Sequence, residues 1–303
     1  MIWRAREHSE SIQESGVGIQ NSSWCVLAPG SGILNPGAMD FTEQVAIVTG
    51  GASGIGRALC EALSRRGAYV IVADINTEGA QRVASAITMS GGRARAAHLD
   101  VVKDEGVRKL VDDTASEYRR LDYMFNNAGV NVSRSEMRDL TVEHWHSVID
   151  VNLLGVLYGT IAAYSVMVQQ GFGHIINTAS LAGLLGFPTS IPYGVSKCAL
   201  VGLSIPLRLE AADLGVKVSV VCPGEIRTNK SNQRYKFGLV DAVEAAEIIL
   251  RGVAKNQAII VFPLYARALW RLNRLFPKLL FPLGRKMVRD FRAKHHSRDR
   301  TRS

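Results

Sequence analysis

The segment PYGVSKCAL, residues 192–200, places a tyrosine four residues ahead of a lysine, where the pattern indicates the start of a helix. Residues at i and i+4 share a helix face, so we expect the phenol of Tyr193 beside the ammonium of Lys197. A phenol with a pKa of ~10 is a poor base at neutral pH, but a nearby positive charge stabilises the phenolate and lowers that pKa. The pair could therefore move a proton. A solvated surface pair is the alternative when the two residues are considered alone.

A glycine-rich loop, TGGASGIG at residues 49–56, follows the first apolar run and precedes an amphipathic stretch. Gly50, Gly54 and Gly56 permit a sharp turn and a close approach of phosphate to the N–H groups of a helix N-terminus, where the helix dipole favours an anion. The spacing G-x-x-x-G-x-G differs from the G-x-G-x-x-G fingerprint, and many glycine clusters are only turns. Its position between a strand and a helix nevertheless predicts a dinucleotide site.

Asp74 ends the second predicted strand, 18 residues after Gly56. An acid at this position can accept hydrogen bonds from both adenosine ribose hydroxyls and would repel a 2′-phosphate, which favours NAD over NADP. Arg57 could partly offset that repulsion. A helix N-terminal acid is the alternative role for Asp74.

Strands that alternate with helices must position these residues. Because this alternation is typical of a parallel sheet covered on both faces, we expect a Rossmann-type, doubly wound α/β domain of about seven strands at 41–263. A disordered extension is expected at 1–40, with Met39 as an alternative translation start, and a basic helical extension at 264–303. Predicted strands are Val45–Thr49, Tyr69–Ala73, Arg95–Leu99, Tyr123–Asn126, His174–Thr178, Lys217–Val221 and Ala258–Phe262. Predicted helices are Ile55–Arg66, Thr77–Ser90, Glu105–Tyr118, Val142–Gln170, Tyr193–Leu214 and Ala242–Lys255.

Composition and charge limit the classes of protein. The 303 residues are 47% apolar and 21% charged, which is ordinary for a globular chain. The net charge of +9 comes from residues 251–303, which carry 14 Lys/Arg against two Asp/Glu, so the body lacks the basic excess that binds nucleic acid. No apolar run is expected to reach transmembrane length, no secretory signal is recognised, and no metal site is predicted, since His144, His146 and His174 lack ligand spacing. Scattered cysteines predict reduced thiols in a cytoplasmic protein: Cys25, Cys60, Cys198 and Cys222.

Further motifs follow in order along the chain: LDV at 99–101, NNAG at 126–129, VNLLG at 151–155, NTASLAG at 177–183 and CPGEIRT at 222–228. Together with the glycine loop and YGVSK, and with Ser180 13 residues before Tyr193, they resemble the motifs of the short-chain dehydrogenase/reductase family. The resemblance covers about residues 41–263 and implies an NAD(P)-dependent oxidoreductase that forms a homodimer or homotetramer. The cofactor positions that it implies are Gly50, Ser53, Gly54, Ile55, Gly56, Asp74, Asp100, Val101, Asn127, Ala128, Gly129, Tyr193, Lys197, Pro223, Gly224, Ile226 and Thr228.

The resemblance also implies a catalytic tetrad of Asn152, Ser180, Tyr193 and Lys197. Tyr193 would exchange a proton with the substrate oxygen while hydride moves to or from the same carbon, and Ser180 would hydrogen-bond that oxygen. Lys197 would hold the cofactor ribose, and Asn152 would help to anchor a water that passes protons to Lys197. A helix contact for Asn152 and a loop cap for Ser180 are the alternatives.

Three features depart from the family pattern. Pro206 falls inside the helix that begins near Tyr193, where proline usually kinks a helix. Only Lys230–Val240 separate the CPGEIRT segment from the next helix, so the lid over the substrate is short. Glu225 stands where an apolar residue is more usual, and it could face either substrate or solvent.

The C-terminal segment has the pattern of a cationic amphipathic helix, broken near Pro277 and Pro282 and resuming at Arg285. Its cations recur at spacings of 4, 3 and 4 beside an apolar face. A helix packed on the body is one interpretation, and peripheral contact with anionic membrane through 264–296 is the other. A tail helix that covers the active site, its own or a neighbour's, would fit the short lid.

The sequence thus favours an enzyme that interconverts a secondary alcohol and a ketone. The apolar loop Leu181–Pro188 and the lipophilic tail favour a hydrophobic substrate. The alternative is a nucleotide-sensing or membrane-docking scaffold of the same fold with little turnover.

Overall fold

Seven parallel strands form the central sheet. The burial of its inner strands follows from their largely apolar sequences, whereas the edge strand Arg93–His98 is mostly half-buried. A computed structural model describes residues 39–131, 133–227 and 240–299. The strands are β1 (Val45–Thr49), β2 (Tyr69–Asp74), β3 (Arg93–His98), β4 (Tyr123–Asn126), β5 (Gly173–Thr178), β6 (Val216–Pro223), β7 (Ile226–Arg227), β8 (Val240–Asp241) and β9 (Ile259–Phe262). The large sheet has the order β3-β2-β1-β4-β5-β6-β9, while β7 and β8 pair separately. The strand order reverses between β1 and β4, which opens a crevice outside their carboxyl ends.

Helices cover both faces of this sheet, as the doubly wound prediction requires. Val45 and Ile47 pack on one face with the third and fifth helices, whereas Ala46 and Val48 pack on the other face with the first, second and seventh. This alternation is the period of two expected of a strand. The helices are α1 (Gly54–Ser64), α2 (Thr77–Met89), α3 (Asp104–Tyr118), α4 (Val142–Ile149), α5 (Gly155–Gln170), α6 (Ile191–Glu210), α7 (Ala242–Ala254), α8 (Leu264–Leu275) and α9 (Phe281–Asp299).

Most predicted boundaries agree with the structure to within two residues, and the differences have local causes. α6 begins at Ile191 because Pro192 suits the first turn of a helix, where its missing N–H has no intrahelical partner. Pro206 does not break α6, which continues to Glu210 with the proline exposed. The helix nevertheless ends before the predicted Leu214, and a separate 3-10 turn covers Ala212–Leu214.

The predicted helix Val142–Gln170 is interrupted by a π-helical turn at Asp150–Leu154, which separates α4 from α5. By length and composition this stretch could cross a membrane, contrary to the expectation that no apolar run is long enough. Within the described structure, α5 packs as a core helix, with Ala163 and Met167 fully buried against the sheet.

The C-terminal extension is helical, as predicted, but its break is in a different place. α8 ends at Leu275, and a 3-10 turn at Pro277–Leu280 leads directly into α9. Pro282 therefore lies in the first turn of α9 and does not interrupt it, contrary to the sequence prediction that helix resumes only at Arg285.

At the other end, Met39 already packs against the core, and the Asp40 carboxylate accepts a hydrogen bond from the Thr42 N–H. The rest of the predicted disordered extension lies outside the described residues, as do Thr228 and most of the predicted short lid.

Candidate active site

A cleft of about 1080 Å³ lies at the carboxyl ends of the strands, at the point where the strand order reverses. Most residues that the sequence assigns to the site line this cleft. Gly54, Gly56 and the buried Asn152 are not on its wall, and Thr228 is outside the described residues. The predicted residues on its wall are Gly50, Ser53, Ile55, Asp74, Asp100, Val101, Asn127, Ala128, Gly129, Ser180, Tyr193, Lys197, Pro223, Gly224 and Ile226.

The glycine loop connects β1 to α1 in a form that only glycine supports. Gly50 and Gly54 have φ values of +67° and +54°, in the left-handed region. A Cβ atom on Gly56 would overlap the carbonyl oxygen of Gly50, so the close approach of loop and helix excludes any side chain there.

The N-terminus of α1 fits an anionic group such as a pyrophosphate. Ser53 is its N-cap residue but makes no side-chain capping hydrogen bond, and the first turn contains no acid. The first N–H groups of a helix have no intrahelical acceptor, and Ser53 and Ile55 at this end of α1 line the cleft, so these groups are available as donors to an anion there.

The NNAG segment is tied to β1 by the Thr49 side chain. The Thr49 hydroxyl accepts hydrogen bonds from the backbone N–H groups of Asn127 (2.9 Å) and Ala128 (3.0 Å). The Asn127 side-chain amide in turn donates to the Thr49 carbonyl at 3.1 Å. The loops after β1 and β4 are thereby held together at the floor of the cleft.

Asp74 lies half-buried at the end of β2 with its carboxylate fixed by backbone donors. One oxygen accepts from the Ala52 N–H at 3.0 Å and the other from the Asn76 N–H at 2.9 Å. Each oxygen retains a lone pair for a further donor. Arg57, which the sequence offered as a partner for a 2′-phosphate, instead pairs with Glu61 at 2.7 Å and does not line the cleft.

Lys197 is 3% exposed and projects from α6 to the end of β5, where its ammonium donates to the Thr178 carbonyl at 2.8 Å. Burial lowers the pKa of Lys197 to about 8, because desolvation penalises the charged form. Its ammonium lies 5.7 Å from the centre of the Tyr193 ring, so the predicted pairing of the two side chains on one helix face is present.

The acidity of Tyr193 differs from the sequence expectation. Burial raises the pKa of Tyr193, and a hydrogen bond with the Ser180 side chain only opposes that rise. The cost of desolvating a phenolate thus outweighs the lowering of the Tyr193 pKa that we expect from a nearby positive charge.

Ser180 has the capping role that the sequence left as its alternative. Its hydroxyl oxygen accepts from the Ala182 N–H at 3.1 Å and caps the 3-10 turn Leu181–Gly183. The hydroxyl proton is not used in that contact, so it can donate to Tyr193 or to a substrate oxygen.

Asn152 lies in the π-helical turn and is fully buried. Its side chain pairs with the backbone of Val130, donating to the carbonyl at 2.9 Å and accepting from the N–H at 2.8 Å. A Cβ atom on Gly129 would lie 3.2 Å from the Asn152 oxygen and 3.6 Å from the Lys197 nitrogen. Asn152 and Lys197 thus converge behind Gly129, although Asn152 does not reach the cleft surface.

The tail contributes three cleft residues that the sequence did not identify, namely Tyr265, Leu269 and Met287. The Tyr265 hydroxyl accepts from the Glu225 N–H at 3.1 Å, and a Cβ atom on Gly224 would lie 2.6 Å from the same oxygen. Residues 265 and 269 are four apart and so share one helix face, which was the only sequence signal that they act together. The local sequence does not specify which part of the protein that face contacts. Glu225, which had two alternatives, is exposed on the cleft wall.

The histidines have structural contacts. His174 is buried, its Nε2 atom lies 2.8 Å from the Ser219 hydroxyl, and burial lowers its pKa to about 3. His144 caps the N-terminus of α4 with Thr141. Among the described residues, no group of three His, Cys, Asp or Glu side chains could hold a metal ion.

Comparison with known proteins identifies the family. Residues 44–237 match the family model described as short chain dehydrogenase. The chain is 37% identical over 188 residues to cyclohexanol dehydrogenase of Acinetobacter sp. (strain SE19), covering 62% of this chain and 75% of that protein. It is 36% identical over 184 residues to cis-4-hydroxycyclohexanecarboxylate dehydrogenase of Sinomonas cyclohexanicum, covering 61% and 74%. The crystal structure of a short-chain dehydrogenase/reductase from Burkholderia phymatum in complex with NAD superposes with a TM-score of 0.73 at 26% identity, covering 80% of this chain and 96% of that one.

This chain therefore belongs to the short-chain dehydrogenase family of oxidoreductases, whose members bind NAD(P).

Proposed function

We propose that this protein is an NAD-preferring dehydrogenase that interconverts a lipophilic secondary alcohol and its ketone. The observation that carries the proposal is the convergence of Ser180, Tyr193 and the buried Lys197 on one wall of the cleft, opposite a glycine loop suited to a pyrophosphate. Two relatives are named as dehydrogenases of alicyclic alcohols, which supports the same reaction class here.

Tyr193 is the general acid and base in this proposal. In oxidation its phenolate takes the substrate hydroxyl proton, and in reduction its phenol returns that proton to the oxygen. The Ser180 hydroxyl donates to the same substrate oxygen and stabilises the charge that develops there. When bound, the nicotinamide accepts or supplies the hydride at the adjacent carbon.

Lys197 sets the charge beside that phenol. Because burial raises the pKa of Tyr193, phenolate formation depends on positive charge close to the ring. With a pKa of about 8, Lys197 is mostly an ammonium at neutral pH and supplies such a charge. One of its N–H groups is used by Thr178, so others remain for a ribose hydroxyl and for a water anchored near Asn152.

The cofactor preference rests on Asp74. Its fixed carboxylate suits two ribose hydroxyls and repels a phosphate in their place, and Arg57 is turned away to Glu61. The residues that would hold the cofactor are the glycine-loop, Asp74, Asp100–Val101, Asn127–Gly129, Lys197 and Pro223–Ile226 positions on the cleft wall.

A lipophilic substrate is favoured by a second cavity of about 680 Å³ next to the cleft. It shares Ala182, Phe187 and Pro188 with the cleft, and its remaining wall is mainly apolar. A substrate whose hydroxyl lies at Tyr193 could place an apolar portion against this shared wall.

The reaction is tested by following reduced-nicotinamide formation with NAD and NADP in parallel, using alicyclic and longer apolar secondary alcohols beside polar ones. Turnover with NAD and apolar alcohols is expected. Preference for NADP would contradict the role of Asp74, and preference for polar alcohols would contradict the substrate class. NADH binding without turnover of any alcohol would favour the alternative of a scaffold with little turnover. Pro206 no longer supports that alternative, because α6 continues through it unbroken.

A further inference from the structure

The junction of α8 and α9 forms an elbow, defined here as residues 274–283, whose apolar side chains point to solvent. Five large apolar residues of the elbow have between 53% and 71% of their surface exposed. Only Leu280 is half-buried, against the core and the second cavity. Single exposed apolar residues are normal, but a contiguous group indicates a contact surface. The five are Leu275, Phe276, Leu279, Phe281 and Leu283.

Cations flank this apolar group along the chain, and Lys278 lies within it. Residues 264–289 contain seven Lys/Arg and no Asp/Glu. All seven are exposed. Arg267 donates a hydrogen bond to the Val261 carbonyl, and within the described ranges none of the other six lies within 4 Å of a carboxylate. The six are Arg271, Arg274, Lys278, Arg285, Lys286 and Arg289.

The elbow is held on the body from both sides. Before it, Ala266 is fully buried in the core, and the Tyr265 hydroxyl accepts a hydrogen bond from the Glu225 N–H. After it, Arg292 makes two hydrogen bonds to Glu136, at 2.9 and 2.7 Å. The exposed apolar group is therefore presented by an anchored pair of helices.

We propose that this elbow docks on an anionic phospholipid membrane, with its apolar side chains at the acyl boundary and its cations at the headgroups. Exposed apolar side chains next to exposed cations are the combination that binds at such an interface. A second copy of the chain is disfavoured as the occupant, because two facing elbows would bring six unpaired cations against six. Nucleic acid is disfavoured because contacts to a phosphate backbone do not use large apolar side chains, and this elbow exposes five of them.

The test is sedimentation of the full chain with vesicles of phosphatidylcholine mixed with phosphatidylglycerol, and with pure phosphatidylcholine vesicles. Binding only to the anionic vesicles, weakening with salt, is expected. Phe276→Ser with Leu279→Ser should weaken it by roughly tenfold per side chain. Arg271→Gln, Arg274→Gln and Lys278→Gln together should weaken it by about fivefold per charge.

Matched controls change equally exposed residues on other faces. Met89→Ser with Val243→Ser removes two exposed apolar side chains, and Lys217→Gln, Arg251→Gln and Lys255→Gln remove three exposed cations. Both controls should bind vesicles like the unmodified protein. Circular dichroism and NADH binding establish that every variant is folded.

Three results would overturn the proposal. The first is the absence of sedimentation with anionic vesicles at low salt. The second is vesicle binding that is unaffected by Phe276→Ser with Leu279→Ser and is inhibited by an added oligonucleotide. This result would mean that the surface binds polyanions in general. The third is a lipid-free dimer that this change dissociates, which would assign the elbow to a second copy.

Discussion

Tyr193 and Lys197 lie side by side, yet burial shifts their pKa values in opposite directions. It raises the pKa of the phenol and lowers that of the ammonium to about 8, because each shift avoids a desolvated charge. The favoured pair near neutral pH is thus a neutral phenol beside an ammonium. In the proposed reaction, oxidation of the substrate requires the Tyr193 phenolate. Its rate therefore depends on positive charge near the Tyr193 ring, which stabilises that phenolate.

His174 gives a pH prediction about stability, separate from catalysis. Its pKa falls to about 3 in the folded protein, mainly through burial, with Lys217 and Arg208 contributing in the same direction. Because the pKa of His174 is lower in the folded than in the unfolded protein, the unfolded chain takes up the proton at a higher pH as the solution is acidified. The stability that neutral His174 allows is complete above about pH 6.5 and declines as pH falls toward 3.

The change His174→Gln keeps a side-chain amide near Ser219 without a titrating group. Between pH 7 and pH 5, the unmodified protein should lose roughly 2 kcal/mol more unfolding free energy than the variant. Urea unfolding at the two pH values measures this. Equal losses in both proteins would show that His174 does not titrate as described.

At the scale of elements, local motifs were the most predictable part of the site. The glycine loop and YGVSK each combine neighbouring residues with a strand or helix end, so spacing places them, whereas NNAG was placed by the resemblance to the family. Contacts between distant elements were not predictable. Nothing near Tyr265 in the sequence specifies Glu225 as its partner, and the burial that raises the pKa of Tyr193 comes from packing, not from Lys197.

The glycine loop allows a direct test of its geometry. Gly56→Ala should lower NADH affinity by at least about tenfold, because the new methyl overlaps the Gly50 carbonyl and displaces the α1 N-terminus. Gly202→Ala is the matched control in α6, where a Cβ atom meets nothing within 4 Å. It should leave NADH binding unchanged and raise stability by about 0.5–1 kcal/mol. Tight NADH binding by Gly56→Ala would contradict the described loop.

Arg292 of α9 pairs with Glu136, and this hydrogen bond lowers the pKa of Glu136, so we expect the pair to hold α9 on the body. Arg292→Gln should make the chain after Gly284 several-fold more susceptible to limited proteolysis. Arg289→Gln, one turn earlier and without a carboxylate within 4 Å among the described residues, should not. Identical cleavage of the two variants would mean that the Arg292–Glu136 pair does not hold the helix.

At the scale of the whole molecule, the C-terminal tail contacts both the cleft proposed to hold the substrate and the surface proposed to dock on a membrane. Leu269 and Met287 line the cleft of the candidate active site, whereas Leu280 and Phe281 of the elbow line the second cavity. A docked elbow would therefore bring the mouth of an apolar cavity to the membrane surface, from which a lipophilic alcohol could reach Tyr193.

The reaction rate should then depend on whether the alcohol is dissolved in a membrane or in water. With a long-chain alcohol dissolved in anionic vesicles, Phe276→Ser with Leu279→Ser should lower kcat/KM severalfold, because the elbow no longer docks. With a water-soluble alcohol the same variant should match the unmodified enzyme. A loss of equal size with both substrates would show that the elbow acts on the catalytic site and not through the membrane.

The central claim is that Tyr193 transfers the proton, and the most direct measurement compares Tyr193→Phe with the unmodified protein in reduced-nicotinamide formation from NAD and an apolar secondary alcohol. Tyr118→Phe, on α3 outside the cleft, is the control. The account predicts that Tyr193→Phe lowers kcat by about 10²- to 10⁴-fold while NADH binding and the Tyr118→Phe rate stay unchanged. Turnover by Tyr193→Phe at the unmodified rate would contradict it.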